Sequence, residues 1–349
     1  MRNTKIALAV LALVASTAAM ADGATIYGTL DAGLTNTSSS NNTTKGTQFS
    51  GTGGWVGGSN IGFKGSEDLE GGMKASYTLQ GGFNLGTGDA ANGGGGGTST
   101  LFSQIASVSL SSDLGTLSLG QQLSPYIVAQ AVGTAGNGHF FVNRIIMGGG
   151  LPNAAAGSTI TDRGGFFMPN AVVYSTPSIG GISATLMQTA RTGGGATNGQ
   201  PKDSYSAASA TGSFGDVNVT VGYQNRQDTV TGQTASVSYA MGPATLAGNY
   251  TKSTLEGATA INSYSGSLSY KVTDPLTLSL QYARNNLAVA QSLTNVAAQY
   301  GLSKRTSAYA TMGRGTNGAQ SNYDYRGSYA ATGTTTTSTT YAVGIIHNF

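Results

Sequence analysis

The chain has 349 residues, a formal net charge of +3, no cysteine, 54 glycines, 17 tyrosines and only 9% charged residues. An apolar content of 39% is too low for a bundle of membrane helices, and the Leu-rich periodicity of a helical soluble domain is missing. The absent cysteines exclude disulfides and thiolate metal sites, and a near-neutral charge without basic clusters argues against nucleic-acid binding.

The N-terminus reads as a secretory signal. Arg2 and Lys5 supply positive charge, Ile6 to Val14 is apolar, and Ala19-Met20-Ala21 fits a cleavage site. Residues 1–21 are therefore expected to be removed on export, leaving residues 22–349 as one domain with a formal charge of +1. No later segment approaches the eighteen or so uninterrupted apolar residues of a spanning helix. An exported chain of this kind enters a membrane only as a closed barrel, since lipid cannot satisfy an unpaired backbone group.

From there the chain reads as strands joined alternately by short turns and longer loops. Thr25–Leu34 places Tyr27, Thr29 and Asp31 on one face and Ile26, Leu30 and Leu34 on the other. Residues 35–58 are polar and have loop composition. Ser59–Gly65 and Met73–Gly82 flank the compact turn GSEDLEGG, and the GGGGG run after them is a connector with no GK[ST] to make it a phosphate cradle. Leu101–Leu110 and Leu114–Gln121 form a hairpin, after which alternation stops from Gln122 to Met168. A segment that long inside a strand array is functional or disordered.

Eleven further strands follow, from Asn170–Thr176 and Gly181–Ala190 to Arg305–Met312 and the last, Thr339–Phe349. In that last strand Tyr341, Val343, Ile345, His347 and Phe349 share a face. An apolar strand that ends the chain on an aromatic makes sense when its edge pairs with the first strand and its face meets lipid. The total is sixteen strands, seven short turns and eight longer loops. The fold expected is an all-β, sixteen-stranded antiparallel transmembrane β-barrel, a size that leaves an aqueous lumen. A soluble β-sandwich would also present one wet face per sheet. It explains neither the signal nor Phe349.

Ile61–Gly88, Thr25–Leu34, Leu101–Gln122, Asn170–Leu186 and the closing His347-Asn348-Phe349 resemble runs of the general porins of Gram-negative bacteria, especially the beta-proteobacterial type. The resemblance implies a homotrimer in the outer membrane and passive diffusion of ions and small hydrophilic solutes. It also implies a third loop folded inward, here residues 122–168, and contacts with outer-membrane lipid and lipopolysaccharide. Phe349 would be the signal read by the β-barrel assembly machinery. Members usually carry a ladder of arginines on the wall facing that loop. At the matching positions this chain has Asn60, Gln104, Gln121 and Phe167, and Ile346 stands before the closing His347. Lys64 and Lys74 keep inward parity with Asp31, and the loop itself adds Arg144, Asp162 and Arg163, with His139 titratable near neutrality. Charge rings normally set ion preference. A largely neutralised ring points to a weakly ion-selective pore, with Phe140, Phe141, Phe166 and Phe167 either lining the path or packing the loop against the wall.

Two other functions fit the same strand pattern. One is a substrate-specific channel for a sugar, an aromatic acid or a peptide; the other is an adhesive or structural role for the long loops. Catalysis is not expected: the only histidines are His139 and His347, and no G-x-S-x-G elbow accompanies them. No cofactor or metal is expected, because Glu67, Asp68 and Glu70 read as a solvated turn.

Overall fold

The computed structural model describes residues 23–40, 46–50, 58–91, 101–135, 166–190, 204–226, 230–255, 259–286, 290–316 and 337–349. The signal-like residues and His139, Phe140, Phe141, Arg144, Asp162 and Arg163 lie outside the described residues. The strands are β1 (Thr25–Ser39), β2 (Gly46–Ser50), β3 (Ser59–Asp68), β4 (Lys74–Phe83), β5 (Ala90–Ala91), β6 (Ile105–Ser112) and β7 (Gly115–Leu123). After the helix α1 (Pro125–Val132) come β8 (Phe167–Ser175), β9 (Ile182–Thr189), β10 (Tyr205–Phe214), β11 (Val217–Arg226), β12 (Val230–Met241) and β13 (Ala244–Leu255). The last are β14 (Ile261–Lys271), β15 (Leu276–Asn285), β16 (Ser292–Gly301), β17 (Thr306–Thr316) and β18 (Thr337–Asn348).

Short β2 and β5 are additions at the long-loop end. The other sixteen strands pair antiparallel in sequence order, and β1 pairs with β18 to close the ring. This is the expected sixteen-stranded barrel. Several boundaries move. β1 runs on to Ser39 and β2 lies within the stretch expected to be loop, because Thr, Asn and Ser sustain a ladder above the lipid band where neither face needs to be apolar. β7 reaches Leu123 and β8 starts at Phe167, so the segment between them is shorter at both ends than the alternation indicates. Two-residue turns at Gly215-Asp216 and Gly242-Pro243 carry glycines at φ 61° and 55°, which a side chain would resist.

The two faces differ along most of the long strands. Val108, Leu119, Leu186, Val221, Leu280 and Val343 point outward and are exposed, a surface that only lipid or another apolar partner would cover. Tyrosines stand near both ends of that band: Tyr77, Tyr174, Tyr239, Tyr270 and Tyr300 toward the short turns, Tyr223, Tyr250, Tyr264, Tyr282 and Tyr341 toward the long loops. Inward, hydroxyls pair across neighbouring strands, as in Ser109 with Ser118 at 2.7 Å, Thr211 with Thr220 at 3.0 Å and Thr37 with Thr340 at 3.0 Å. Such cross-strand pairs are the unit of sheet stabilisation.

At the closing seam backbone and side-chain polar groups find specific partners. The backbone N–H of Phe349 donates to Gly28 O and that of Gly28 to Phe349 O, at 3.1 and 3.2 Å, so the last residue completes the ladder. On β1 the register with β3 ends at Thr29 and that with β2 begins at Gly33. The N–H of Asp31 falls in the gap and donates instead to Ser59 Oγ at 3.1 Å. Inside the wall, Tyr309 of β17 reaches across β18 and donates its hydroxyl to Asp31 Oδ1 at 3.0 Å. It passes over Gly344 and Gly33; a Cβ on Gly33 would stand 2.6 Å from the Tyr309 hydroxyl.

Candidate functional site

The interior is a concave surface to which all sixteen long strands contribute, and its two sides differ. On one side the chain leaves β7 at Ser124 and turns inward. Ser124 caps α1, accepting from Tyr126 N at 3.2 Å, and Pro125 occupies the first turn, where its missing N–H costs nothing. Ser124 Oγ also bonds the Tyr205 hydroxyl at 2.6 Å, which donates to Gln224 Oε1 at 3.0 Å. Tyr126, Ile127 and Phe166 pack on inward Met168, Ala171, Val173, Met187 and Ala207.

The Tyr126 ring lies across Gly222 and Gly232. A Cβ on Gly232 would stand 2.6 Å from its hydroxyl, and one on Gly222 would stand 2.9 Å from the Ala129 methyl. Inward polar groups of the later strands then hold the helix and its exit. Ser236 Oγ donates to Ala129 O at 2.6 Å, Gln130 Nε2 to Thr251 Oγ1 at 3.3 Å, and Ala135 N to Ser267 Oγ at 2.7 Å. Gln281 Nε2 donates to Ala135 O at 3.3 Å. Residues 124–135 therefore lie on the inner wall of β10–β15.

On the opposite side, the inward rows of β1, β3, β4, β6 and β7 carry polar side chains such as Thr29, Thr78, Ser109 and Thr116, all partly exposed to the interior. Tyr27 donates its hydroxyl to Gln80 Oε1 at 2.9 Å, and Gln80 Nε2 donates in turn to Gln104 Oε1. The Lys64 ammonium lies over the Tyr27 ring, 5.2 Å from its centroid. On this wall Lys64 is exposed, whereas Asp31 is buried and Lys74 is paired with Asp68.

The residues singled out in the sequence fall in different places. Lys64 points inward and is exposed. Asn60 is half-buried, and its amide donates to Gly58 O at 3.3 Å. Gln104 is 4% exposed and joined to Gln80. Gln121 donates to the carbonyls of Ser103 at 2.8 Å and Gln104 at 3.2 Å, tying down the loop before β6. Asp31 is 0% exposed beneath Tyr309. Lys74 pairs with Asp68 at 3.3 Å at the short-turn rim. Phe167 is half-buried, with its ring 5.4 Å from that of Phe166.

Sequence pattern alone missed Tyr27, Gln80, Tyr205 and Tyr309 as interior partners; Arg226, on the polar face of β11 as the alternation indicates, is a second interior cation near Tyr205. One signal was available. NAVVYS is apolar on both faces, and an apolar inward face in an otherwise polar interior calls for a cover.

Comparison with known proteins adds the following. A family model described as Gram-negative porin matches residues 7–320. The chain is 35% identical over 193 residues to outer membrane porin protein 32 of Delftia acidovorans, covering 53% of this chain and 48% of that one. It is 29% identical over 194 residues to an outer membrane porin of Bordetella pertussis, covering 52% and 46%. The matched stretch thus spans about half the length of these curated relatives. Among solved structures, an anion-selective porin from Comamonas acidovorans superposes with a TM-score of 0.70 at 22% identity, covering 94% of this chain and 100% of the other. Salmonella typhi OmpF complexed with daunomycin superposes with a TM-score of 0.67 at 14% identity, covering 94% and 98%. At these identities the structural likeness shows the fold alone.

Proposed function

This chain belongs to the Gram-negative porin family, and from that premise we propose that it forms a water-filled channel for passive diffusion of ions and small hydrophilic solutes across the outer membrane. The observation that carries the reading is the pair of unlike walls. The inward rows of β1–β7 are polar and open to the interior, while the chain after Ser124 is fastened to the far side by Ser236, Thr251, Ser267 and Gln281. In this reading residues 122–168 are the constriction loop, and Asn60, Lys64, Gln104, Gln121, Phe167, Arg144, Asp162 and Arg163 are the candidate constriction residues. Ion preference is weak and tilted toward anions. Lys64 offers its charge to the interior, whereas Asp31 is withdrawn beneath Tyr309 and Lys74 is paired.

The same reading includes export by residues 1–21, recognition of Phe349 by the β-barrel assembly machinery, assembly as a homotrimer, and contact with outer-membrane lipid and lipopolysaccharide. It does not include an enzymatic step. Planar-bilayer recording of the purified native oligomer tests it. Conductance steps in threes, and a small reversal potential of anionic sign in a salt gradient, are expected. A barrel that inserts but conducts nothing would refute the channel, and a steep preference for either sign would refute the weak selectivity. One observation favours a substrate-specific channel as a second reading. Half-buried Tyr27 and Gln80 make a hydrogen-bonded pair on the inward face beside Lys64, which suits a polyhydroxylated solute. Saturable block of the current by one class of solute would select that reading.

A further inference from the structure

We propose that the membrane-facing surface of β13–β17, at the long-loop end, is a docking site for the phosphorylated headgroups of outer-leaflet lipid. This rests on the outer-membrane reading and adds a place and a chemistry to it. Lys252, Arg284 and Arg314 share parity with outward Leu246, Leu280 and Met312 on their own strands, and all three are exposed. Each lies within three residues of the long-loop end of β13, β15 or β17. The register sets Lys252 opposite Asn262, Tyr264 opposite Arg284, and Thr294 opposite Arg314, so each cation is shifted two residues along its strand relative to the one before. Two strand spacings and two residues of rise separate neighbouring cations by roughly 12 Å. Flexible Lys and Arg stems span that gap to bracket a headgroup carrying two phosphates.

Two further features set this patch apart from ordinary surface charge. Immediately toward the lipid lie Tyr250, Tyr264 and Tyr282, with the first two rings 5.3 Å apart, so the cations stand at the headgroup level above an aromatic girdle. Second, no acid among the described residues stands beside them. Among the described residues the two ion pairs, Lys74–Asp68 and Lys271–Asp274, are both at the short-turn end, and the acids of β10–β18 and their turns, Asp216 and Asp274, are there too. Long loops face the cell exterior in such barrels, so the patch meets the outer leaflet. A cation that faces lipid without an acidic neighbour is tolerated where an anionic headgroup supplies the counter-charge.

The test uses the native oligomer in detergent and the variant K252Q/R284Q/R314Q, with bisphosphorylated lipid A as probe and native mass spectrometry as readout. Wild-type protein should retain the lipid. The variant should bind roughly fivefold more weakly per lost side chain and about a hundredfold more weakly in all. Dephosphorylated lipid A should bind wild type no better than the variant binds the intact lipid. Lys304→Gln with Arg305→Gln, at the opposite rim, should change nothing. Equal retention by the triple variant, equal binding of the dephosphorylated lipid, or full displacement by millimolar inorganic phosphate would overturn the proposal; the last would reveal a free-anion site. If the triple variant does not fold, the single Arg284→Gln variant is read, with a fivefold loss expected. Conductance of the same wild-type preparation tests the channel separately. A barrel that holds lipid A and conducts nothing would overturn the channel and leave this site standing.

Discussion

The bond from Tyr309 to Asp31 carries a definite cost if it is removed. Asp31 is 0% exposed, so no water can take the place of the tyrosine hydroxyl, and a hydrogen bond to a carboxylate contributes about 1.5–3 kcal/mol. Tyr309→Phe keeps the ring over Gly344 and Gly33 and deletes only the donor, so it should destabilise the barrel by about 1.5–3 kcal/mol. Gly344→Ala should cost more. Its new Cβ would stand 2.5 Å from Ala32 O and inside the contact distance of the Tyr309 ring. Overpacking of this kind adds about 1–3 kcal/mol to the lost bond, for a total of roughly 2.5–6 kcal/mol. Truncating the ring in the same chain, as Gly344→Ala with Tyr309→Ala, should therefore be less than additive. Urea unfolding of protein refolded into phosphatidylcholine vesicles, followed by circular dichroism and gel mobility, measures these three and the Tyr309→Ala single variant that closes the cycle. A Tyr309→Phe barrel within about 0.5 kcal/mol of wild type would refute the claim that the seam is held by this contact.

Three other outcomes can be checked on the same material. Lys64→Glu should move the reversal potential toward cations, while Lys74→Gln with Asp68→Asn, which removes a pair that is already neutral at the rim, should leave it unchanged. Gly232→Val places a branched side chain where the Tyr126 hydroxyl would be 2.6 Å from its Cβ. It should lift α1 into the lumen and lower single-channel conductance, and unaltered conductance would count against the position of α1. At the β14–β15 turn, the hydrogen bond and charge of Lys271, 2.9 Å away, hold the Asp274 carboxyl below its ordinary range. A depressed carboxylate pKa contributes stability above its unfolded value and loses it as pH falls through the folded one. NMR titration of Asp274 should therefore shift upward in Lys271→Met, with only a small change in acid stability because the pair is exposed.

Much of the wall was legible in the chain because its period is strict. In β11, for example, Val217, Val219, Val221 and Tyr223 alternate with Asn218, Thr220 and Gln224, and that rhythm fixes strand, face and environment together. Boundaries slipped where the rhythm loses meaning. Above the lipid band Thr35–Ser39 needs no apolar side, so polarity looked like loop. The bulge between Gly120 and Gln122, matched by Asn170 at φ 52°, shifts parity just where β7 and β8 reach the interior chain. Interior partners were out of reach for another reason. Tyr309 and Asp31 are 278 residues apart, and Tyr27 and Gln80 are 53 apart. Period two says which way each points, and nothing about how far a tyrosine leans across an intervening glycine.

The mooring of α1 also dictates a timetable. Its chain leaves β7, yet its ties are to Tyr205, Ser236, Thr251, Ser267 and Gln281, on strands made after it. Contacts of such long sequence separation come late, because their loop-closure entropy must be met before they repay it. It follows that the cylinder is raised first and furnished afterwards: until β15 is in place, the stretch from Ser124 to Ala135 lacks its full set of berths, and a half-built barrel is wider inside than the finished one.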